Sequence, residues 1–431
     1  MRHHYDAIII GAGPAGSTAG LLLARAGWSI ALIEKQCFPR RKVCGECISA
    51  SNLPLLEALG LGAQFDACAG PELRRVAFMQ GDYTIAADLP AFEHPKYAWG
   101  RALGRETLDT LLLAQARAAG ANILQPWTVC SLAGAAGDFV CAVQALDSRE
   151  TATLRAPLVI AAQGSWERPP WRLSDHGRQR RPGDLLAFKA NFCGTTLAAG
   201  LLPVISFPGG YGGMVLADRD VLTIACCIRA DRLARLRSAA PGISAGQAVG
   251  DMLMAECAGV SAVLRRAQRQ GPWLAAGPLH PGIHFTAHDS VFRIGNAAGE
   301  AHPIIGEGIS MAIQSAWILC GHLVRRGASQ GSRVSAATQQ RLRTLYAVEW
   351  RSAFTPRLRL AAVLAHIAMR PSIFRPFRVI RHFPQLLMYA AQFSGKGISV
   401  LEAEKVTALV ACGAGSRPSF AESPADLRTT A

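Results

Sequence analysis

The run Gly11-Ala12-Gly13-Pro14-Ala15-Gly16 puts three glycines where a chain turns tightly and brings its backbone close to a bulky anion. It sits between an apolar run, Tyr5 to Ile10, and a helix-forming run, Ser17 to Ala26. A second apolar run, Trp28 to Glu34, follows. Strand, glycine loop, helix and strand in that order form a βαβ unit: Gly11 permits the turn, Gly13 the approach of a pyrophosphate, and Gly16 the close packing of helix on sheet. The free N–H groups and the dipole at the helix N-terminus favour the anion. Glu34 ends the second strand, where a carboxylate accepts hydrogen bonds from a ribose 2′- and 3′-hydroxyl and would repel a 2′-phosphate. The chemistry expected here is dinucleotide binding, by Gly11, Ala12, Gly13, Pro14, Ala15, Gly16, Glu34 and the adjacent Lys35.

A glycine fingerprint does not separate one dinucleotide from another, so a second motif decides. Gly295-Asn296-Ala297-Ala298-Gly299-Glu300-Ala301-His302-Pro303-Ile304-Ile305-Gly306-Glu307-Gly308 resembles the ribityl- and flavin-contacting motif of the FAD-dependent oxidoreductases that include aromatic hydroxylases, geranylgeranyl reductases and flavin-dependent halogenases. The resemblance implies that Asn296 holds the ribityl chain. It also implies that Gly295, Pro303, Gly306, Gly308 and Ile309 bring a helix N-terminus to the flavin, where it would stabilise the anionic reduced form. The family's usual residue at the first of these positions is Asp, so Asn296 keeps the hydrogen bond and brings no charge.

Further positions follow from the same resemblance. Arg105-Glu106-Thr107-Leu108-Asp109 is similar to the family's R-x-x-h-D helix start, with Arg105 reaching the cofactor, and Val129 matches the place of a backbone contact to adenine. Gly164 ends a strand where the family carries Asp-Gly; here Gln163 precedes it, which leaves the docking of a nicotinamide donor open. Arg41-Lys42-Val43-Cys44-Gly45-Glu46-Cys47 is similar to a loop that sets Cys44 and Gly45 beside the isoalloxazine. Cys44 and Cys47 also form a C-x-x-C, which either is redox-active or only shapes the pocket; with no second close pair to complete four ligands, no metal is expected.

In Phe207-Pro208-Gly209-Gly210-Tyr211-Gly212-Gly213 the glycines either let a backbone approach a ligand or form a mobile hairpin end, and Tyr211 and Gly212 are the expected substrate contacts. His94, His302 and Glu300 are conceivable acid-base groups, though no catalytic residue is assigned. Neither the tryptophan-rich signature of the halogenases nor the aromatic stretch of the geranylgeranyl reductases is present.

The elements that position these residues give an α/β chain, a Rossmann-like FAD-binding fold with an interleaved antiparallel-sheet substrate lobe and a helical C-terminal region. The expected division is an FAD-binding lobe over 1–183, a sheet lobe over 184–285 with its strands between Asp184 and Arg229, and a closing part over 286–330 with a helix from Glu307 to Arg326. A basic helical region over 331–412 and a disordered tail over 413–431 follow. Helices are also expected at Leu53 to Leu59 and Arg105 to Ala119, and strands over Ala121 to Leu132 and Phe139 to Val159.

With 431 residues, half of them hydrophobic and 17% charged, the chain is globular and large enough for two lobes. The uncharged stretch Ala190 to Ala217 is too rich in glycine and proline to span a membrane as a helix, and the first apolar run is too short for a secretory signal. The cytoplasm is the expected compartment, with the twelve cysteines mostly buried thiols. The net charge of +15 gathers late: no acidic residue lies between Glu349 and Glu402, where Arg351, Arg357, Arg359, Arg370, Arg375, Arg378, Arg381 and Lys396 fall. That segment is expected either to cover the active site or to touch an anionic membrane, and no specific nucleic-acid partner is expected. The reading as a whole is an FAD enzyme drawing electrons from NADH or NADPH, a monooxygenase of a hydrophobic aromatic or polyketide-type secondary metabolite. A reductase of an isoprenoid double bond is the alternative, followed by a halogenase or a non-catalytic flavin redox sensor.

Overall fold

Ala7–Ile10 is apolar at all four positions, and all four are buried, as a parallel strand covered on both faces requires. In the computed structural model, which describes residues 2–165, 181–285, 289–327 and 335–392, this strand is the centre of a five-stranded parallel sheet. The order across it is Phe292–Arg293, Leu158–Ala161, Ala7–Ile10, Ile30–Ile33 and Asn122–Leu124. Its register pairs Ala7 with both Ile30 and Leu158, and Ile10 with both Ile33 and Ala161.

Alternation along the central strand divides the core in two. Ala7 and Ile9 pack with the helices Pro14–Arg25, Arg105–Ala118 and Gly308–Gly327. Ile8 and Ile10 pack, on the other face, with a three-stranded antiparallel sheet formed by Trp127–Ala135, Asp138–Ala145 and Thr151–Ala156.

The second lobe is one large sheet, in the order Gln268–Arg269, Leu185–Cys193, Val221–Arg229, Gly210–Ala217, Leu201–Phe207, Arg75–Gln80 and Tyr83–Asp88. Leu274–Ala276 also pairs with Leu185–Cys193. Every pairing is antiparallel except that of Leu201–Phe207 with Arg75–Gln80. The strands between Asp184 and Arg229 lie where the alternation places them. The region 1–183, however, also supplies two strands to this sheet, which the sequence reading did not foresee. Helices Ala230–Ala239, Ala245–Glu256 and Ala258–Leu264 follow the last long strand, and the latter two bury Val249, Met252 and Val260 with Phe188, Ile224 and Met214 of the outer sheet face. The inner face turns Ala187, Tyr211 and Cys227 toward Ala365 and Ala368.

Helix Ala336–Ala368 joins the two lobes. Its middle residues Tyr346, Trp350 and Phe354 belong to the core of the nucleotide lobe, and its end packs on the inner face of the large sheet. Pro371–Phe374, Pro376–His382 and Gln385–Ala391 continue the helical region. Residues 393–431, including the tail expected to be disordered, lie outside the described residues. Among the described residues, no helix is long and apolar enough to cross a membrane.

Candidate functional site

The glycine loop is built as its spacing requires. Gly11 has a φ of +98°, and a side chain there would meet the Ala162 carbonyl oxygen at 2.7 Å; one at Gly16 would lie 1.8 Å from the Gly11 carbonyl oxygen. These two glycines are structural, since no other residue fits. Gly13 differs, because its nearest obstacle is Arg105 Nη2 at 3.7 Å, and the space above it is open. Pro14 opens the helix at a position where a missing N–H costs nothing.

Two cavities run along the ends of the parallel strands and share Gly13, Lys42 and Ala162. The smaller is lined by Gly11, Glu34, Lys35, Val129 and Gln163 among others. The larger, about 730 Å³, takes in Pro14, Ala15, Cys44, Gly45, Arg105, Gly164, Gly295, Asn296, Pro303, Gly306, Gly308 and Ile309, together with Tyr211 and Gly212 from the large sheet. Of the cofactor and substrate contacts expected from the sequence, only Ala12 and Gly16 face neither cavity. Ala12 donates its N–H to Glu34 Oε2 at 2.9 Å, and Gly16 packs beneath the loop.

Electrostatics at the loop follow from burial. Glu34 is buried, accepts also from the Gln36 N–H at 3.0 Å, and has Arg40 at 3.5 Å. Arg105 donates twice to Asp109, at 2.7 Å each, one helical turn on, so the R-x-x-h-D spacing is an i,i+4 fork that aims the guanidinium at Gly13. Burial alone would lower the Arg105 pKa, but the Asp109 carboxylate reverses this and holds it raised.

On the flavin-side motif, Gly306 takes a left-handed φ of +66° before helix Gly308–Gly327 begins. A side chain at Gly308, or at Gly45 across the cavity, would meet no atom within 4 Å. The Asn296 amide donates to Ser165 Oγ at 2.8 Å. Gln163, the departure from the family's Asp, is buried with Oε1 unpartnered beside the glycine loop.

These features fit a dinucleotide whose adenosine end lies at Glu34 and Val129, whose pyrophosphate crosses Gly13 and Arg105, and whose ring system reaches Gly308. The open faces of Gly13, Gly45 and Gly308 and the orphaned Gln163 Oε1 are what such a group would fill and satisfy.

The Cys44 to Cys47 loop holds a group that the sequence reading missed. Glu46, in a left-handed φ of +60°, is buried and accepts from the Lys189 ammonium, from Thr223 Oγ1 at 2.5 Å and from the Arg105 N–H at 2.9 Å. Both cysteines are thiols. The Glu46 N–H points to Cys44 Sγ at 3.3 Å, so this loop is fixed by carboxylate and thiol contacts to its neighbours. Among the described residues, no cluster could hold a metal ion.

Tyr211 does not lie on a loose hairpin end. The turn is confined to Pro208 and Gly209, and Tyr211 stands on the strand Gly210–Ala217, 1% exposed, with its hydroxyl 3.2 Å from His302 Nδ1. Burial pushes the Tyr211 pKa well up and the His302 pKa down, so burial favours the neutral form of both partners, and the imidazole tautomer sets which of them donates. Burial also raises Glu300, against the opposing pull of the His280 N–H, Ser165, His284 and Lys42. His94 lines neither cavity; it accepts from the Lys96 and Tyr97 N–H groups.

Residues 4–176 match the family described as FAD binding domain. Conditioned medium factor receptor 1 of Dictyostelium discoideum is 27% identical over 332 residues, 72% of this chain and 61% of that protein, so the chain spans less than two thirds of that relative. The myxobacterial chondrochloren halogenase superposes with a TM-score of 0.70 at 16% identity, covering 97% of this chain and 99% of the other. PqsL of Pseudomonas aeruginosa, solved with 2-aminobenzoylacetate, gives 0.65 at 18% identity, covering 86% and 98%. The chain therefore has the FAD-binding flavoprotein fold, matches the FAD binding domain family over residues 4–176, and resembles the FAD-dependent oxidoreductases that include aromatic hydroxylases, geranylgeranyl reductases and halogenases.

Proposed function

We propose that this FAD-dependent oxidoreductase is a monooxygenase of a hydrophobic aromatic or polyketide-type metabolite, taking two electrons from NADH or NADPH and one atom from oxygen. The supporting observation is the continuity of the larger cavity. It begins at the flavin-side residues Gly45, Asn296 and Gly308 and continues past Tyr211 to an apolar end lined by Leu360, Leu364, Ile367, Ile380 and Leu387. Such a wall suits a flat or lipophilic ligand and excludes water beside the reacting atoms.

FAD, when bound, supplies the redox chemistry, accepting hydride and passing electrons to oxygen. The chain's own part is to orient and to handle protons. The glycine loop, Glu34 and Arg105 hold the dinucleotide. Tyr211 and His302 are the polar pair on the apolar wall. With its imidazole kept neutral, His302 can take a proton relayed through the Tyr211 hydroxyl from a phenolic substrate as ring carbon is oxidised. One oxygen atom then enters the product, and the other leaves as water with the electrons from the nicotinamide.

The test compares turnover with and without oxygen on a panel of phenols, polyketides and isoprenoids. NAD(P)H oxidation stimulated by an aromatic, with label from oxygen gas in the product, is the expected result. Saturation of a double bond under anaerobic conditions would replace this reading with the reductase.

A further inference from the structure

The helices Pro376–His382 and Gln385–Ala391 close the apolar end of the larger cavity, and their inner side is well packed: Phe377, Ile380 and Leu387 meet Val76, Phe78 and Ile85 at the edge of the large sheet. Their outer side does not look like an ordinary soluble face. Val379, Phe383, Leu386 and Tyr389 are between 43% and 59% exposed. Val379, Leu386 and Tyr389 also line the cavity, so its mouth reaches the surface among these side chains. Tyr83, 56% exposed, extends the patch by stacking on Phe377 at 4.2 Å between ring centres.

Charge on this surface has one sign. Arg375, Arg378 and Arg381 are exposed on the same two turns, and none of them meets a carboxylate among the described residues. The sequence places no acidic residue between Glu349 and Glu402. Two other arginines of the segment are differently used: Arg357 is buried 3.8 Å from Glu307, and Arg370 bonds His366 at 2.7 Å.

We propose that this surface docks on an anionic phospholipid bilayer and that the cavity is loaded from the bilayer through the mouth at Val379, Leu386 and Tyr389. Arginines at such a rim pair with lipid phosphates, and the apolar side chains enter the interfacial zone, the combination that peripheral helices use. Exposed apolar groups gathered at a cavity mouth mark an interaction site, and the rim of arginines selects an anionic bilayer as its occupant. The choice of cargo rests on the proposed lipophilic substrate, but docking itself needs neither substrate nor turnover.

Flotation of the full-length protein with phosphatidylglycerol-containing vesicles, against vesicles of phosphatidylcholine alone, reads the docking by protein rather than by activity. The expected result is recovery with the anionic vesicles at least tenfold above the neutral ones. Arg378→Glu with Arg381→Glu should cut that recovery at least tenfold, as should Phe383→Ser, with flavin content and thermal melting as in the parent. Absence of the parent from anionic vesicles at low salt overturns the proposal, as does undiminished recovery of either variant. Loss in the charge variant alone would show attraction without insertion and would also overturn it. Failure of the monooxygenase reading is scored separately, by product analysis in detergent-solubilised substrate.

Discussion

The Lys189 ammonium and the Glu46 carboxylate form a buried ion pair that ties the large sheet to the loop beside the flavin-side cavity, with Thr223 and the Arg105 N–H completing the carboxylate's shell. Removing one partner leaves an uncompensated charge. Lys189→Met should therefore lower stability by about 3–5 kcal/mol, measured as the shift of the urea midpoint, and adding Glu46→Gln should restore a large part. A single substitution with no effect would mean that water already reaches the pair.

Two glycines of the cleft should respond in opposite ways. At Gly16 an alanine methyl would collide with the Gly11 carbonyl, whereas at Gly308 it would enter open space. Gly16→Ala should unfold the nucleotide lobe, and Gly308→Ala should melt as the parent does but lose at least tenfold in FAD affinity, about 1.4 kcal/mol or more. Equal FAD titrations for parent and Gly308→Ala would move the ring system away from the helix start.

Glu34 makes a third test of the same cofactor. Its carboxylate already serves the Ala12 and Gln36 N–H groups, so Glu34→Ala loses both a loop anchor and a ribose acceptor. FAD retention on gel filtration should drop, and Glu34→Gln should fall between the two because it keeps an acceptor oxygen. Retention unchanged in both variants would remove Glu34 from the site.

His302 carries the pH dependence. Because its folded pKa is lowered by burial, the unfolded chain binds the extra proton first as pH falls through about 6.5. Stability from the neutral ring is present above that pH and is lost progressively toward the folded pKa. His302→Gln should flatten that acid-side loss in thermal melts. Tyr211→Phe should leave the loss in place while lowering kcat about 10²-fold or more if the proton relay operates. An unchanged acid limb of kcat in Tyr211→Phe would sever the phenol from the chemistry.

The βαβ unit was legible because its determinants are local: an apolar run, a glycine spacing, a helix and a terminal carboxylate lie within thirty residues of one another. The helix that starts at Gly308 was legible for the same reason, from the glycine-rich turn before it. What escaped the sequence reading depends on distant pairing. Arg75–Gln80 becomes a strand of the large sheet through its parallel pairing with Leu201–Phe207, and no short-range pattern announces that. Glu46 and Lys189 stand 143 positions apart, and each alone reads as an ordinary surface charge. The burial that makes them a pair exists only once the two lobes meet.

That parallel pairing also governs how the protein could be divided. Since Arg75–Asp88 completes a sheet whose other strands begin at Leu185, and Phe292–Arg293 completes the nucleotide sheet begun at Ala7, each lobe borrows chain from across the other's boundary. A fragment cut near residue 184 would expose the edge of Leu201–Phe207 and strand an apolar hairpin on the remaining half, both open to pairing with other chains. Neither lobe is a module that recombination could hand to another protein intact; they are inherited together or not at all.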